Sequence, residues 1–476
     1  MKTLFPSLLF LFTLTAVADQ PHIILVMADD QGWGQTSYNG HPDLKTPHLD
    51  EMAAAGLRFN RFYAGASNCS PSRATVLTGR SNDRTGVQNH GFPLRLQEKT
   101  VAQALRDAGY ATGHFGKWHL NGLRGPGVPI LDDDTHSPGA FGFDFWLSVT
   151  NFFDRNPLLS RMGEFEDFEG DSSEVVIAEA LKFIAEKAPD QPTFTVVWYG
   201  TPHDPMVASE DDREPFAVLP ERSQNQYGEL LAMDRSIGAL RAGLREQGIA
   251  GNTLFWYCSD NGGLTGFGPD TMGGLRGAKN TMYEGGLRVP GIIEWPARIP
   301  RGRQTDFPAG TVDIFPTLSA IVGLPESAML QPCDGISLVP LIEGEDDGER
   351  EQPLPFRHDG RGVLIEDRYK LISQKGEFEL YDLIEDPAEA SNIFQSEPEV
   401  AARMKAAYES WNETVEASVA GKDYPEGTVD LNQPERRFWH EDSAYEPHME
   451  QFFARPEYGA WITKQKKAKK RAKAKP

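Results

Sequence analysis

Three short apolar runs restrict this chain more than any other feature. His22–Ala28 (HIILVMA), 194–199 (FTVVWY) and 253–258 (TLFWYC) are rich in β-branched and aromatic residues, and each breaks off abruptly into polar ones. Those polar ends are Asp29-Asp30, Gly200-Thr201-Pro202-His203 and Ser259-Asp260-Asn261-Gly262. Near-continuous apolar runs of this length read as strands buried on both faces, the pattern of a mainly parallel sheet. Between them, 49–55, 100–108, 174–185 and 227–245 carry a helical period, and Gly56, Gly109 and Gly248 stop three of the four. Alternating strands and helices make an α/β layered domain with a large, mainly parallel central sheet between helices. Ligands in such folds bind beyond the carboxyl ends of the strands, where this chain places its acids, amides and histidines.

The pattern changes at 343–352, an acidic run with Gly344 and Gly348 that reads as a linker. Beyond it, 362–365, 369–374 and 377–381 read as short strands and 398–412 as a helix, which predicts a smaller C-terminal antiparallel-sheet subdomain. A chain of 476 residues with 39% hydrophobic content can bury a large core and divides best into one big unit and a smaller one. At its start, Met1-Lys2, the apolar stretch Leu8-Leu9-Phe10-Leu11-Phe12 and Ala16-Val17-Ala18 have the three parts of a cleavable secretory signal. That stretch is too short to span a bilayer and no later one qualifies, so the expected product is periplasmic or secreted with no membrane span. The expected division is a signal peptide over 1–18, the main domain over 19–342, the C-terminal subdomain and extension over 343–455, and a basic disordered tail over 456–476.

Only Cys69, Cys258 and Cys333 occur, too few for a disulfide framework in an exported chain of this size. An odd thiol in an oxidising compartment calls for burial or a task. The net charge of −22 argues against nucleic acid as a partner. Seven lysines and Arg471 in 464–475 leave the remainder more acidic still; that basic run reads as a solvated tail, with an anionic surface or glycan as its other possible partner.

Asp29 and Asp30 at one strand end, and Asp260 and Asn261 at another, supply four hard oxygen side chains to one crevice. Oxygen-only donors suit calcium or magnesium and disfavour zinc. Adjacent aspartates also serve as caps and turns, and both readings stand at this point.

Cys69-Ser70-Pro71-Ser72-Arg73, running on through Ala74-Thr75-Val76-Leu77-Thr78-Gly79-Arg80, resembles the signature of the formylglycine-dependent sulfatases of the alkaline-phosphatase-like superfamily. The resemblance extends from Asp29 to about Asn392. Gly116-Lys117-Trp118-His119-Leu120, Pro202-His203-Asp204-Pro205, Arg276-Gly277-Ala278-Lys279, the run from Glu284 to Pro290, and Glu379-Leu380-Tyr381-Asp382-Leu383 with Asp386-Pro387 follow further motifs of the family. It implies an alkaline-phosphatase-like fold and a sulfuric ester hydrolase whose Cys69 is converted to formylglycine (3-oxoalanine) by a separate maturation enzyme. It also implies one calcium ion held by Asp29, Asp30, Asp260, Asn261 and the modified Cys69. Catalytic roles carry over to Arg73, Lys117 and Lys279 as sulfate-binding cations, to His203 as the leaving-group acid and to His119 as an aid to release. Gln35 departs from the family, where an Asp is frequent.

The implied substrate is a sulfated polysaccharide or oligosaccharide, with Arg124, Arg155, Arg161, Arg357 and His358 as candidate selectors. A phosphate mono- or diester hydrolase of the same superfamily, and a non-catalytic binder of sulfated glycans with an unmodified Cys69, are the competing readings.

Overall fold

The computed structural model describes residues 20–344 and 348–473. The expected signal peptide and the middle of the 343–352 run lie outside the described residues. At the centre of the larger sheet, the side chains of His22–Ala28 sort by a period of two. Ile23, Leu25 and Met27 enter a core with Phe194, Trp198, Trp256 and Leu318, whereas Ile24, Val26 and Ala28 enter another. The second core is closed by the helices Ser172–Lys187, through Val176, Ala180 and Phe183, and Glu221–Glu246, through Leu230, Met233 and Ile237. Burial on both faces is what an uninterrupted apolar strand requires, so the α/β expectation is met.

Across the sheet the strands run Arg303–Thr305, Leu57–Tyr63, Arg288–Glu294, Thr253–Ser259, His22–Ala28, Thr193–Trp198, Ala111–Lys117, Phe145–Val149, Leu158–Arg161 and Glu164–Asp167, with Ala309–Gly310 beside Leu57–Tyr63. The five from Thr253–Ser259 to Phe145–Val149 are parallel; Arg288–Glu294 and the hairpin Leu158–Asp167 join antiparallel. Register matters for function here. Ala28 lies opposite Ser259, Met27 opposite Trp198, and Trp198 opposite Gly116. Parallel strands in that register end together, so Asp29, Asp260, Lys117 and the loop bearing His203 emerge at one edge.

The smaller sheet is an antiparallel meander of Leu354–His358, Arg361–Glu366, Tyr369–Gln374 and Glu377–Asp382. One face packs on Tyr63, Leu287 and Val312 through Phe356, Val363 and Ile372; the other packs on the helix Pro398–Val419 through Leu364, Leu371 and Leu380. The sequence reading missed its first strand because Pro353 and Pro355 argue against one. Leu354–His358 is an edge strand, where a missing amide is tolerated.

One expectation is corrected over its described part. In the segment 456–476, read as a disordered tail, residues Pro456–Lys473 form a helix, and 474–476 lie outside the described residues. The first turns of the helix bury Tyr458 and Ile462 against Trp439 and Phe452, and the Tyr458 hydroxyl donates to the Gly127 carbonyl at 2.7 Å. Tyr458, Trp461 and Ile462 share one helical face, a stripe outweighed in the sequence reading by the lysines that follow.

Candidate active site

Asp29 and Asp30 follow the central strand directly, and the carboxylates of Asp29, Asp30 and Asp260 place oxygen atoms within 4.8 Å of one another, all buried. Like charges this close need cations, and three are at hand. Lys117 Nζ lies 2.6 Å from Asp29 Oδ2, Lys279 Nζ 2.6 Å from Asp30 Oδ1, and Arg73 Nη2 2.7 Å from Asp260 Oδ2. Arg73 also donates to the Lys117 carbonyl at 3.2 Å and lies over the Trp198 ring at 5.0 Å. The Asn261 amide donates to Asp30 Oδ1 at 2.7 Å. Its own oxygen and Asp29 Oδ1 are buried with no hydrogen-bond partner. Orphaned buried oxygens beside crowded carboxylates fit a hard divalent cation held by Asp29, Asp30, Asp260 and Asn261. The fold is cut to this shape: a Cβ on Gly262 would sit 1.9 Å from the Gly285 carbonyl oxygen, so only glycine follows Asn261.

Cys69 opens the helix Cys69–Thr78, whose N-terminal amides point partial positive charge at the same place. Its sulfur, a carboxylate oxygen of Asp29 and a ring nitrogen of His203 lie within 4.8 Å of one another. Burial pushes the Cys69 thiol up to about 11 against the pull of Lys117 and Lys279, so the unmodified side chain is a neutral thiol and a weak nucleophile. Burial, then the Lys279 charge, holds His203 down to about 3. Its ring stacks on Phe152 at 4.5 Å, with Nδ1 2.5 Å from the Asp204 carbonyl oxygen and Nε2 3.8 Å from Asp30. His119 is driven well below its usual range by burial, Lys117 and Arg73, and both its ring nitrogens are without a partner. For Asp30, burial is outweighed by Lys279 and His203, and its carboxyl falls below the usual range; for Asp260, burial and Asp29 win over Arg73, and it rises. Asp30 (φ 71°) and His119 (φ 59°) both hold the left-handed conformation, strain of the kind that collects at functional sites.

A cavity of about 280 Å³ opens over this cluster. Cys69, His119, His203 and Lys279 line it, and so do Asn68, His90, Asn151, Phe152, Asn280 and Phe438, which the sequence reading did not select. Asn68 and Asn280 flank Cys69 and Lys279 in sequence; nothing in the chain marks the other four. A broader cleft of about 1480 Å³ shares Phe152 with it and includes Arg155, Arg455 and Trp461.

The structure therefore brings together Asp29, Asp30, Cys69, Arg73, Lys117, His119, His203, Asp260, Asn261 and Lys279. Of the candidate selectors, Arg124 lines the cavity and Arg155 the adjoining cleft. The other three hold the fold instead. Arg161 is tied to Glu166 and Glu179, Arg357 to Asp83 and Glu416, and His358 to the Ser67 hydroxyl. Gln35 Oε1 accepts from the Gly32 amide at 2.9 Å and so shapes the turn after Asp30 without reaching the cluster.

Comparison with known proteins gives matches over most of the chain. Residues 21–324 match the family described as Sulfatase, and residues 277–414 the family described as N-sulphoglucosamine sulphohydrolase, C-terminal. An N-acetylgalactosamine-6-sulfatase of Sus scrofa is 33% identical over 363 residues, 69% of this chain and 67% of that one. Arylsulfatase A of Homo sapiens is 32% identical over 373 residues, 71% of this chain and 70% of its own length. Among solved structures, Ps i-CgsB in complex with k-i-k-neocarrahexaose superposes with a TM-score of 0.74 at 24% identity, covering 92% of this chain and 98% of that one, a likeness of fold.

Proposed function

Because the chain belongs to the sulfatase family, we propose that it hydrolyses sulfate esters of sulfated polysaccharides or oligosaccharides, using a formylglycine made from Cys69 beside one calcium ion. The observation that carries this reading is the convergence of Cys69 with buried Asp29, Asp30 and Asp260 and with Arg73, Lys117 and Lys279 at one strand edge.

Calcium, when bound by Asp29, Asp30, Asp260, Asn261 and the modified residue 69, supplies positive charge against a sulfate oxygen. Formylglycine at position 69, if so converted, would supply as its hydrate two hydroxyls on one carbon, one a nucleophile toward sulfur and the other a means of regenerating the aldehyde. The remaining work falls to ordinary side chains. Sulfuryl transfer, like phosphoryl transfer, has a loose transition state, so catalysis rests on positioning and on cations aimed at the oxygens. Lys117, fully buried against Asp29, and Lys279, which lines the cavity, serve that purpose, and Arg73 fixes Asp260 and the Lys117 backbone in place. His203, held by the Asp204 carbonyl and Phe152, protonates the departing sugar oxygen. An anionic ester beside the imidazole counters Lys279 and favours the protonated ring this step needs. His119, which lines the same cavity, assists the release of sulfate. The adjoining cleft, with Phe152, Trp461 and Arg155 along it, suits the rest of a saccharide chain.

In this reading the protein is exported under the signal over 1–18 and depends on a formylglycine-generating partner for its maturation. Mass spectrometry of the Cys69 peptide tests the chemistry directly, since conversion replaces the thiol with an aldehyde and lowers the mass. Cys69→Ala is expected to abolish turnover with the fold nearly intact. An unmodified thiol in fully active protein, or sulfatase activity in the alanine variant beyond a trace, refutes the assignment.

A further inference from the structure

Arg124 lines the cavity of the candidate site, and Arg436 meets the same histidine that Arg124 does. Arg124 Nη2 and Arg436 Nη2 each lie 3.3 Å from the same atom, His90 Nε2. The Asn89 side-chain oxygen accepts from the His90 backbone amide at 2.8 Å and lies 3.0 Å from His90 Nδ1, so Nδ1 carries the ring proton and Nε2 faces the guanidiniums as a lone pair. Burial, then Arg436 and Arg124, pushes His90 down to about 3; the imidazole is neutral and offsets neither charge. Arg436 is further fixed by donating to the His90 carbonyl at 2.8 Å and lying over Phe92 at 4.9 Å, and Arg124 by lying over Phe438 at 4.4 Å.

Among the described residues, neither guanidinium forms an ion pair. The field of Glu441 reaches Arg124 but is outweighed by burial, and Arg436 is depressed by burial and by Arg124 itself. Four buried arginines are treated differently: Arg73, Arg80, Arg84 and Arg350 sit on Asp260, Glu98, Asp334 and Asp313, while buried Arg95 spends its guanidinium on the Arg84, Ser418 and Val419 carbonyls. A protein of net charge −22 does not lack carboxylates to place here. Two half-buried guanidiniums held side by side by stacking and by a neutral imidazole, with Arg124 Nε lacking any partner, are a preformed receptor for an oxyanion. Arg124, His90 and Phe438 share a cavity of about 280 Å³ with Cys69, so the anion must belong to the molecule that reaches Cys69. Arg436 lies beyond both matched family segments, which end at 324 and 414.

We infer that Arg124 and Arg436 bind a second anionic substituent of the substrate, a sulfate ester or a carboxylate on the same or the neighbouring sugar, and so select for doubly charged saccharides. This rests on the sulfatase reading above. The test compares monosulfated and disulfated galactose, with a sulfated galacturonic acid as the carboxylate arm, on the wild type, Arg124→Gln, Arg436→Gln and the exposed-charge control Arg301→Gln. The wild type and the control are expected to favour a doubly charged substrate by about tenfold or more in kcat/KM, mostly through KM. Either Arg124→Gln or Arg436→Gln should lose most of that preference, and the preferred arm identifies the anion. The same sugars titrated calorimetrically into Cys69→Ala protein read the site without turnover. Arginine-dependent preference in that binding assay, together with a wild type that hydrolyses no sulfate ester, refutes the hydrolase reading and keeps the site. Equal affinity of that protein for all three sugars, binding of none included, or a preference that survives both variants, overturns the proposal.

Discussion

In the proposed mechanism His203 and Lys117 act on the same ester with different tasks, and the leaving group separates them. An activated aryl sulfate departs with little protonation, whereas a sugar alkoxide depends on it heavily. His203→Ala should slow sulfate release from a sugar by about 10²-fold or more and from an aryl sulfate much less. Lys117→Ala removes charge stabilisation common to both and should slow them by similar factors. The measurement is kcat/KM for both variants on both substrates; equal losses for His203→Ala would mean that the imidazole only grips sulfate. At this scale the residues that converge on the candidate site were legible because each sits in a short local pattern: Asp29-Asp30 at the end of a buried run, Cys69 inside CSPSR, Lys279 inside RGAK. The Arg124–His90–Arg436 group was not, since 346 positions separate His90 from Arg436 and only the folded backbone joins them. Arg161 and Arg357 were misread for a related reason: a sequence shows a charge but not the acid that neutralises it.

Beside the apolar packing between the two sheets, one buried cation crosses the contact. Lys370 Nζ, on the strand Tyr369–Gln374, lies 2.9 Å from Glu284 and 2.8 Å from Glu389, and all three side chains are fully buried. The Glu389 carboxylate accepts from the Glu284 amide at 2.6 Å, and the Tyr63 hydroxyl donates to Glu284 at 3.0 Å. Lysine is essential to this arrangement because either carboxylate left alone in the interior keeps the full penalty of desolvation. Lys370→Ala should therefore destabilise the protein by about 3–5 kcal/mol, the usual result of removing one partner from a buried ionic cluster. Urea unfolding followed by tryptophan fluorescence measures it, and a loss below about 1 kcal/mol would show that water or rearrangement compensates. The elements themselves were largely legible: the period-two and helical patterns gave the strands His22–Ala28 and Tyr369–Gln374 and most of the long helices. Edges escaped, as with Leu354–His358 and its prolines, because a strand paired on one side need not look like a strand.

Taken whole, the molecule carries a net charge of −22 yet must accept an anionic ester, and it does so by gathering Arg73, Lys117 and Lys279 at the edge where the parallel strands end. Those cations already pair with Asp29, Asp30 and Asp260, which sets what removal of the proposed metal should do. Chelated protein should stay folded, because each carboxylate keeps a partner, and should lose turnover, because the lysines then remain committed to the aspartates. The stability at stake follows from linkage: a site filled at 100 times its dissociation constant contributes about 2.7 kcal/mol, so calcium should raise the melting temperature measurably over EDTA-treated protein. Calcium should also restore activity better than zinc, since Asp29, Asp30, Asp260 and Asn261 offer only hard oxygen donors. Calorimetry and sulfate release, each followed from EDTA-treated protein through calcium or zinc readdition, measure both effects. Zinc found by elemental analysis in fully active protein, or full activity in EDTA, would show that the four oxygen side chains serve as charge partners for the lysines and not as ligands.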